Sequence, residues 1–128
     1  MNQNHGHILC VDDDPDTCEM VTVWLGYENI RVTAAYTAAA GMRLVQHESF
    51  DLYLLDYQLP DGSGIEICRQ IRAVDLHTPI IFVTASARDH EMRAGLVAGA
   101  NIYLTKPVDL EKLCLEVRRF ISGRQMVC

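Results

Sequence analysis

Five short runs of the chain are largely apolar, and each is followed by a segment whose apolar residues recur at helical spacing. "HILCV" (7–11), "IRVTAA" (30–35), "LYLLD" (52–56), "PIIFVT" (79–84) and "IYLT" (102–105) have the length of strands. A strand with one wet face alternates apolar and polar residues. Most of these do not, which predicts a sheet covered on both faces. The intervening segments predict five helices. Asp14 and Pro15 suit the N-cap and first position of the first, with Met20, Val21, Trp24 and Leu25 as one apolar stripe and Asn29 as a left-handed stop. Thr37 caps a second helix through "AAAGMRLVQH", and Ser63 caps a third with Ile65, Ile67, Cys68 and Ile71 on its inner side. The fourth, "RDHEMRAGLVAGA", carries little bulk and is expected to have few anchors, which makes it one of the more mobile elements. The fifth follows Asp109 and places Leu110, Leu113, Cys114, Val117, Phe120 and Ile121 on the 3.6-residue period. Strands alternating with helices imply an α/β fold with a doubly wound parallel sheet and right-handed crossovers.

Composition narrows the picture. A length of 128 residues fits one domain, with a core over about residues 6–122 and short flexible ends. Hydrophobic residues make up 49% and charged residues 22%, which excludes a disordered chain. The net charge of −6 argues against direct contact with nucleic acid or an anionic membrane. No apolar run approaches the ~18 residues of a membrane span, and no basic-then-apolar leader opens the chain. The cysteines at 10, 18, 68, 114 and 128 are odd in number and lack C-x-x-C spacing, so neither a disulfide framework nor a zinc site is expected. Cys10, Cys68 and Cys114 read as small core side chains, and a reduced, cytoplasmic setting is expected. The histidines, at 5, 7, 47, 77 and 90, are scattered without ligand spacing.

Polar residues gather where strands end. Asp12 and Asp13 follow the first strand, Asp56 ends the third, Thr84 ends the fourth and Lys106 follows the fifth. In a parallel sheet these converge on the carboxyl edge, where ligands bind beside the reversal of strand order. Three carboxylates repel one another unless positive charge lies among them. Lys106 supplies one such charge. A divalent cation, Mg²⁺ or Mn²⁺, would supply another, since hard oxygen ligands with retained waters suit it. Asp14, Asp16, Asp61 and Asp109 read instead as helix caps or loop solvation.

The stretches "ILCVDDDP", "FDLYLLDYQLPDGSGIEICRQIR", "PIIFVTASA" and "GANIYLTKPVDLEKL" stand in the order and spacing of a known family. Over nearly its whole length the chain resembles the receiver domains of two-component response regulators, the chemotaxis-regulator-like superfamily. The resemblance implies a three-layer (βα)5 flavodoxin-like sandwich with strand order 2-1-3-4-5. It implies that Asp56 accepts a phosphoryl group from a phosphohistidine of a sensor histidine kinase or phosphotransfer protein. By the same resemblance, Asp13 holds Mg²⁺ directly, Asp12 mostly through water, and Asp56 and the backbone carbonyl of Gln58 supply further oxygens. Lys106 contacts the Asp56 carboxylate and then a phosphoryl oxygen, to which Thr84 also donates. Thr84 and Tyr103 form the switch, the ring turning inward as the hydroxyl moves, and the Lys106–Pro107 peptide is cis. No enzyme activity is implied beyond the chain's own phosphoryl transfer and autodephosphorylation. The face of the fourth helix, fifth strand and fifth helix is expected to dock a downstream protein or linked output domain, or to form a phosphorylation-dependent dimer.

Three rivals fail on particular residues. A flavin-binding flavodoxin needs a hydroxyl- and glycine-rich loop where this chain has "DDDPDT", which would repel a phosphate. A haloacid-dehalogenase-like phosphatase needs a second aspartate where Gln58 stands. A degenerate receiver serving only as a non-phosphorylated interaction module would lack Asp56 or Lys106. Two contexts stay open: a free-standing regulator, and a receiver fragment of a larger transcription regulator or hybrid histidine kinase.

Overall fold

The computed structural model describes residues 6–126; residues 1–5 and 127–128, with His5, Cys128 and part of the expected flexible ends, lie outside the described residues. In chain order the elements are β1 (Gly6–Val11), α1 (Pro15–Gly26), β2 (Ile30–Ala35), α2 (Ala38–His47), β3 (Leu52–Leu55), β4 (Gln58–Leu59), β5 (Gly62–Ser63), α3 (Gly64–Val74), β6 (Ile80–Thr84), α4 (Asp89–Ala98), β7 (Ile102–Thr105) and α5 (Leu110–Met126). Five parallel strands form one sheet in the order β2-β1-β3-β6-β7, and β4 and β5 form a small antiparallel hairpin apart from it. Counted over the sheet strands alone, this is the expected 2-1-3-4-5 order.

Side chains alternate across a strand, and here both sets are buried. Ile8, Cys10, Leu52, Leu54, Ile81 and Val83 pack with α1 and α5. Leu9, Val11, Tyr53, Leu55, Ile80 and Phe82 pack on the other face with α2, α3 and the small residues of α4. Each fully buried aliphatic or phenyl side chain contributes about 1.5–3 kcal/mol, so the continuous apolar strands are the consequence of two helical layers. Strand ends fall within one residue of the sequence expectation; Asp56 lies just beyond β3.

The predicted caps are present. Asp14 accepts from the Asp16 amide at 3.0 Å, Thr37 from Ala40 at 3.1 Å and Ser63 from Ile65 at 3.1 Å. Asn29 holds a left-handed φ of 60° between α1 and β2. Cys10, Cys68 and Cys114 are buried free thiols as expected. Cys18, which carried no such expectation, is buried as well and lies 3.9 Å from Cys10, sulfur to sulfur.

Helix α1 corrects the sequence reading. It buries Thr17, Cys18, Val21 and Leu25, whereas Met20 and Trp24 are 44% and 42% exposed. Residues 20 and 24 each precede a buried position by one, a turn of about 100° around the helix. What reads as one stripe is therefore two apolar faces. α4 has little to hold it: it buries only Glu91 and Gly95 and begins at Arg88 without a side-chain cap. Among the described residues no helix is long and apolar enough to cross a membrane.

The two faces of α1 predict opposite outcomes for neighbouring truncations. Leu25→Ala is expected to cost about 2–5 kcal/mol in urea denaturation, and Trp24→Ala less than about 1 kcal/mol. Equal losses would contradict the two-face assignment.

Candidate functional site

The backbone ladder carries the site residues one step past the strands. The Asp12 amide donates to Ala35 of β2 at 2.9 Å, and the Asp56 amide donates to Val11 of β1 at 2.9 Å. At the other side of the cleft the Lys106 amide donates to Thr84 of β6 at 2.8 Å. Residues scattered over 94 positions of sequence are thus fixed at neighbouring strand ends by the same register that builds the sheet. The Lys106–Pro107 peptide is cis.

Their side chains meet. The Lys106 ammonium lies 2.8 Å from Asp12 Oδ2 and 3.2 Å from Asp56 Oδ2. The remaining carboxylate oxygens accept from backbone: Asp12 Oδ1 from the Asp14 amide at 2.9 Å, and Asp56 Oδ1 from the Gln58 amide at 3.2 Å. Asp12 and Asp56 are buried, at 3% and 6% exposure, while Asp13 is exposed beside them. One oxygen from each of Asp12, Asp13 and Asp56 lies within 4.8 Å of the others. Three carboxylates against one ammonium leave an excess of negative charge aimed at the rim, an oxygen-only donor set that could hold a metal ion.

Electrostatics follow from this packing. Burial pushes the Asp12 carboxyl above its ordinary value, against the hydrogen bonds from Lys106 and the Asp14 amide that pull it down. Burial alone would lower the Lys106 ammonium, but the hydrogen bond to Asp12 and the charges of Asp56 and Asp12 outweigh it and raise it. Lys106 therefore stays charged at neutral pH.

Thr84 and Tyr103 converge on Ser86. Thr84 is 1% exposed, and its hydroxyl oxygen accepts from the Ser86 amide at 3.4 Å. The half-buried Tyr103 ring stacks on Phe82 with centroids 5.7 Å apart, and its hydroxyl donates to the Ser86 carbonyl at 3.2 Å. The Ser86 hydroxyl in turn donates to the Glu91 carboxylate in the first turn of α4. Glu91 is buried, at 7% exposure, which no local pattern signals, because an acid in a first helical turn ordinarily faces water.

The loop after Asp56 is pinned from two sides. A Cβ on Gly64 would stand 2.2 Å from the Asp56 carbonyl oxygen and 2.9 Å from the Phe82 ring, so only glycine lets α3 start this close. Asp61, in the hairpin turn, accepts from the Ala38 and Ala39 amides at 2.7 and 3.0 Å and so caps α2 from a distance.

A family model described as the response regulator receiver domain matches residues 8–118, and every site residue above falls within it. The chain belongs to the response regulator receiver domain family. It is 38% identical over 112 residues to the response regulator ArlR of Staphylococcus epidermidis, covering 88% of this chain and 51% of that protein. It is 32% identical to the probable transcriptional regulatory protein TcrX of Mycobacterium tuberculosis, covering 94% of this chain and 55% of that protein. The chain spans about half the length of these curated relatives. Among solved structures it is similar to a CheY-like response regulator receiver domain protein from Methanospirillum hungatei, with a TM-score of 0.89 and 30% identity, covering 95% of this chain and 98% of the other. The BeF3-activated receiver domain of DrrB, a protein of Thermotoga maritima, matches with a TM-score of 0.82 and 36% identity, over 91% of this chain and 97% of that one.

Two substitutions test the packing and the charge of this receiver site. Gly64→Ala is expected to cost about 3 kcal/mol in urea denaturation, since the added carbon meets backbone and not a flexible side chain. Asp13→Asn removes one of three like charges and is expected to raise stability by about 1 kcal/mol in metal-free buffer. A loss of stability in that variant would contradict the account of repulsion at the rim.

Proposed function

We propose that Asp56 is the phosphoacceptor of a two-component phosphorelay. The observation that carries this reading is the Lys106 ammonium held between Asp12 and Asp56 beside a third carboxylate, Asp13. An oxygen of the Asp56 carboxylate forms a bond to phosphorus as the bond from phosphorus to the imidazole nitrogen of a partner's phosphohistidine breaks. The histidine leaves, and an acyl phosphate remains on Asp56. The side chain is already oriented for this by the Gln58 amide and Lys106, so positioning supplies much of the rate. The Lys106 ammonium neutralises charge on the phosphoryl oxygens, and the Thr84 hydroxyl donates to one of them.

Asp12, Asp13, Asp56 and the backbone carbonyl of Gln58 would hold Mg²⁺ or Mn²⁺. When bound, the ion supplies the charge that offsets the spread negative charge of the phosphoryl group. The all-oxygen donor set, two positive charges short of neutrality even with Lys106, supports this choice of metal. Hydrolysis of the acyl phosphate by the chain itself resets the site.

The switch runs through Ser86. A Thr84 drawn toward the phosphoryl group pulls on the amide it accepts from, and Ser86 is also held by Tyr103 and by Glu91 of α4. Two arrangements of this segment, differing in the seat of the Tyr103 ring, would present two forms of the α4–β7–α5 face. A groove of about 280 Å³ there is lined by Met92, Tyr103, Leu104, Val108 and Lys112 and offers a seat for a downstream protein or linked output domain, or for a phosphorylation-dependent dimer. Residues 1–128 act in this reading as a single cytoplasmic receiver.

Incubation with acetyl phosphate and Mg²⁺, followed by intact mass measurement, tests the acceptor. The native chain is expected to gain one phosphoryl group and Asp56→Asn none, with Lys106→Ala slowed about 100-fold. Equal gain by the native and Asp56→Asn chains would overturn the assignment.

A further inference from the structure

Helices α3 and α4 border an open groove of about 680 Å³, and each turns one stripe of residues toward it. On α3 the stripe is Arg69, Arg72 and Ala73, at i, i+3 and i+4. On α4 it is Arg93, Ala94 and Val97, in the same helical neighbourhood. The chain sets 11 Lys and Arg residues against 17 Asp and Glu, yet three of its arginines share this one groove. It is separate from the groove at Met92 and Tyr103, and nothing in the receiver chemistry uses it.

The chain leaves these charges unanswered. Arg72 is fixed, donating to the Gly99 carbonyl at 3.0 Å, the Asp75 carbonyl at 3.0 Å and Asn101 Oδ1 at 3.2 Å. All three acceptors are neutral, so its positive charge stays uncompensated. The Asp75 carboxylate is itself engaged by the His77 and Thr78 amides and the Thr78 hydroxyl. Arg69 and Arg93 are exposed and make no hydrogen bond or ion pair among the described residues. Glu66 and Asp89 stand three and four residues before them, a spacing that permits pairing, and neither pairs. Two free guanidiniums on facing helices, with a third held between them and the groove floor, form a site for anionic oxygens.

We propose that the α3–α4 groove docks a short acidic segment of a partner protein, its carboxylates on Arg69 and Arg93 and an aliphatic side chain on Val97 and the neighbouring alanines. Charge complementarity selects an acidic occupant, and the shape and surroundings select a peptide. The groove is open, whereas small-molecule sites enclose most of their ligand. Its floor is apolar, with Ala73 and Ala94 leaving room for a side chain and Val97 81% exposed to receive one. A long polyanion such as nucleic acid would meet the charge of −6 carried by the rest of the chain, which a short segment avoids. α4, of 10 residues, is about 15 Å long at 1.5 Å per residue, the span of about five extended residues. Exposed ion pairs are individually weak, so this docking is transient and sensitive to salt.

Amide NMR on the full chain without phosphodonor, titrated with synthetic pentapeptides, tests this independently of Asp56. The probes are the five peptides with leucine at one position and glutamate at the other four. At least one is expected to shift the amides of residues 69–73 and 90–98 saturably, and to bind at least fivefold more weakly when sodium chloride rises from about 50 to 300 mM. Serine in place of its leucine is expected to weaken binding at least threefold. Arg69→Glu and Arg93→Glu are each expected to weaken it at least tenfold while far-UV circular dichroism stays native. Arg119→Glu, on α5, is expected to bind like the native chain. No saturable shift from any of the five peptides would overturn the proposal, as would affinity that Arg69→Glu and Arg93→Glu leave intact. Tighter binding of inorganic pyrophosphate at the same amides would overturn it in favour of a small-anion site.

Discussion

One ammonium between two buried carboxylates holds this molecule's working edge together. Lys106 reaches Asp12 at 2.8 Å and Asp56 at 3.2 Å, and through them it ties the end of β7 to the ends of β1 and β3. Removing one partner of a buried ion pair typically costs about 3–5 kcal/mol, because the charge left behind has neither water nor a counterion. The arrangement is stable because each carboxylate spends its other oxygen on a backbone N–H, from Asp14 and from Gln58. It is also incomplete. Asp13 adds a third negative charge that no ion pair offsets among the described residues, which leaves an oxygen-only cluster that could hold a metal ion.

Close packing then connects that edge to the rest of the sandwich. Gly64 lets α3 begin against the Asp56 carbonyl, and Asp61 fastens the same loop to the start of α2. On the other side, Ser86 receives Tyr103, donates to Glu91 and bonds Thr84, so the β6–α4 connection is held by three polar contacts and little apolar bulk. The opposite layer, α1 and α5, is anchored by a continuous core.

Much of this was legible in the residues themselves. Strands apolar at both alternating positions require two covering layers, and the polar residues that end them, Asp12, Asp56, Thr84 and Lys106, then have to share one edge. Caps at Asp14, Thr37 and Ser63 and the left-handed Asn29 were legible because their physics is local. What escaped depends on pairings between one element and the next. Asp61 read as a cap or loop residue, but not as the cap of a helix more than twenty residues before it; Cys18 meets Cys10 across a strand and a helix, and the buried Glu91 accepts from Ser86 in the preceding loop. The α1 stripe was misread for a different reason: adjacent apolar positions such as Val21 and Met20 cannot report which of them faces inward.

The electrostatic claim is tested most directly by titrating Mg²⁺ into three proteins by calorimetry: the native chain, Asp13→Asn and Lys106→Met. If an excess of carboxylate over ammonium attracts the ion, the native chain binds one equivalent, Asp13→Asn binds at least tenfold more weakly, and Lys106→Met, freed of the competing ammonium, binds more tightly. Unchanged affinity in Asp13→Asn, or weaker binding in Lys106→Met, would contradict it.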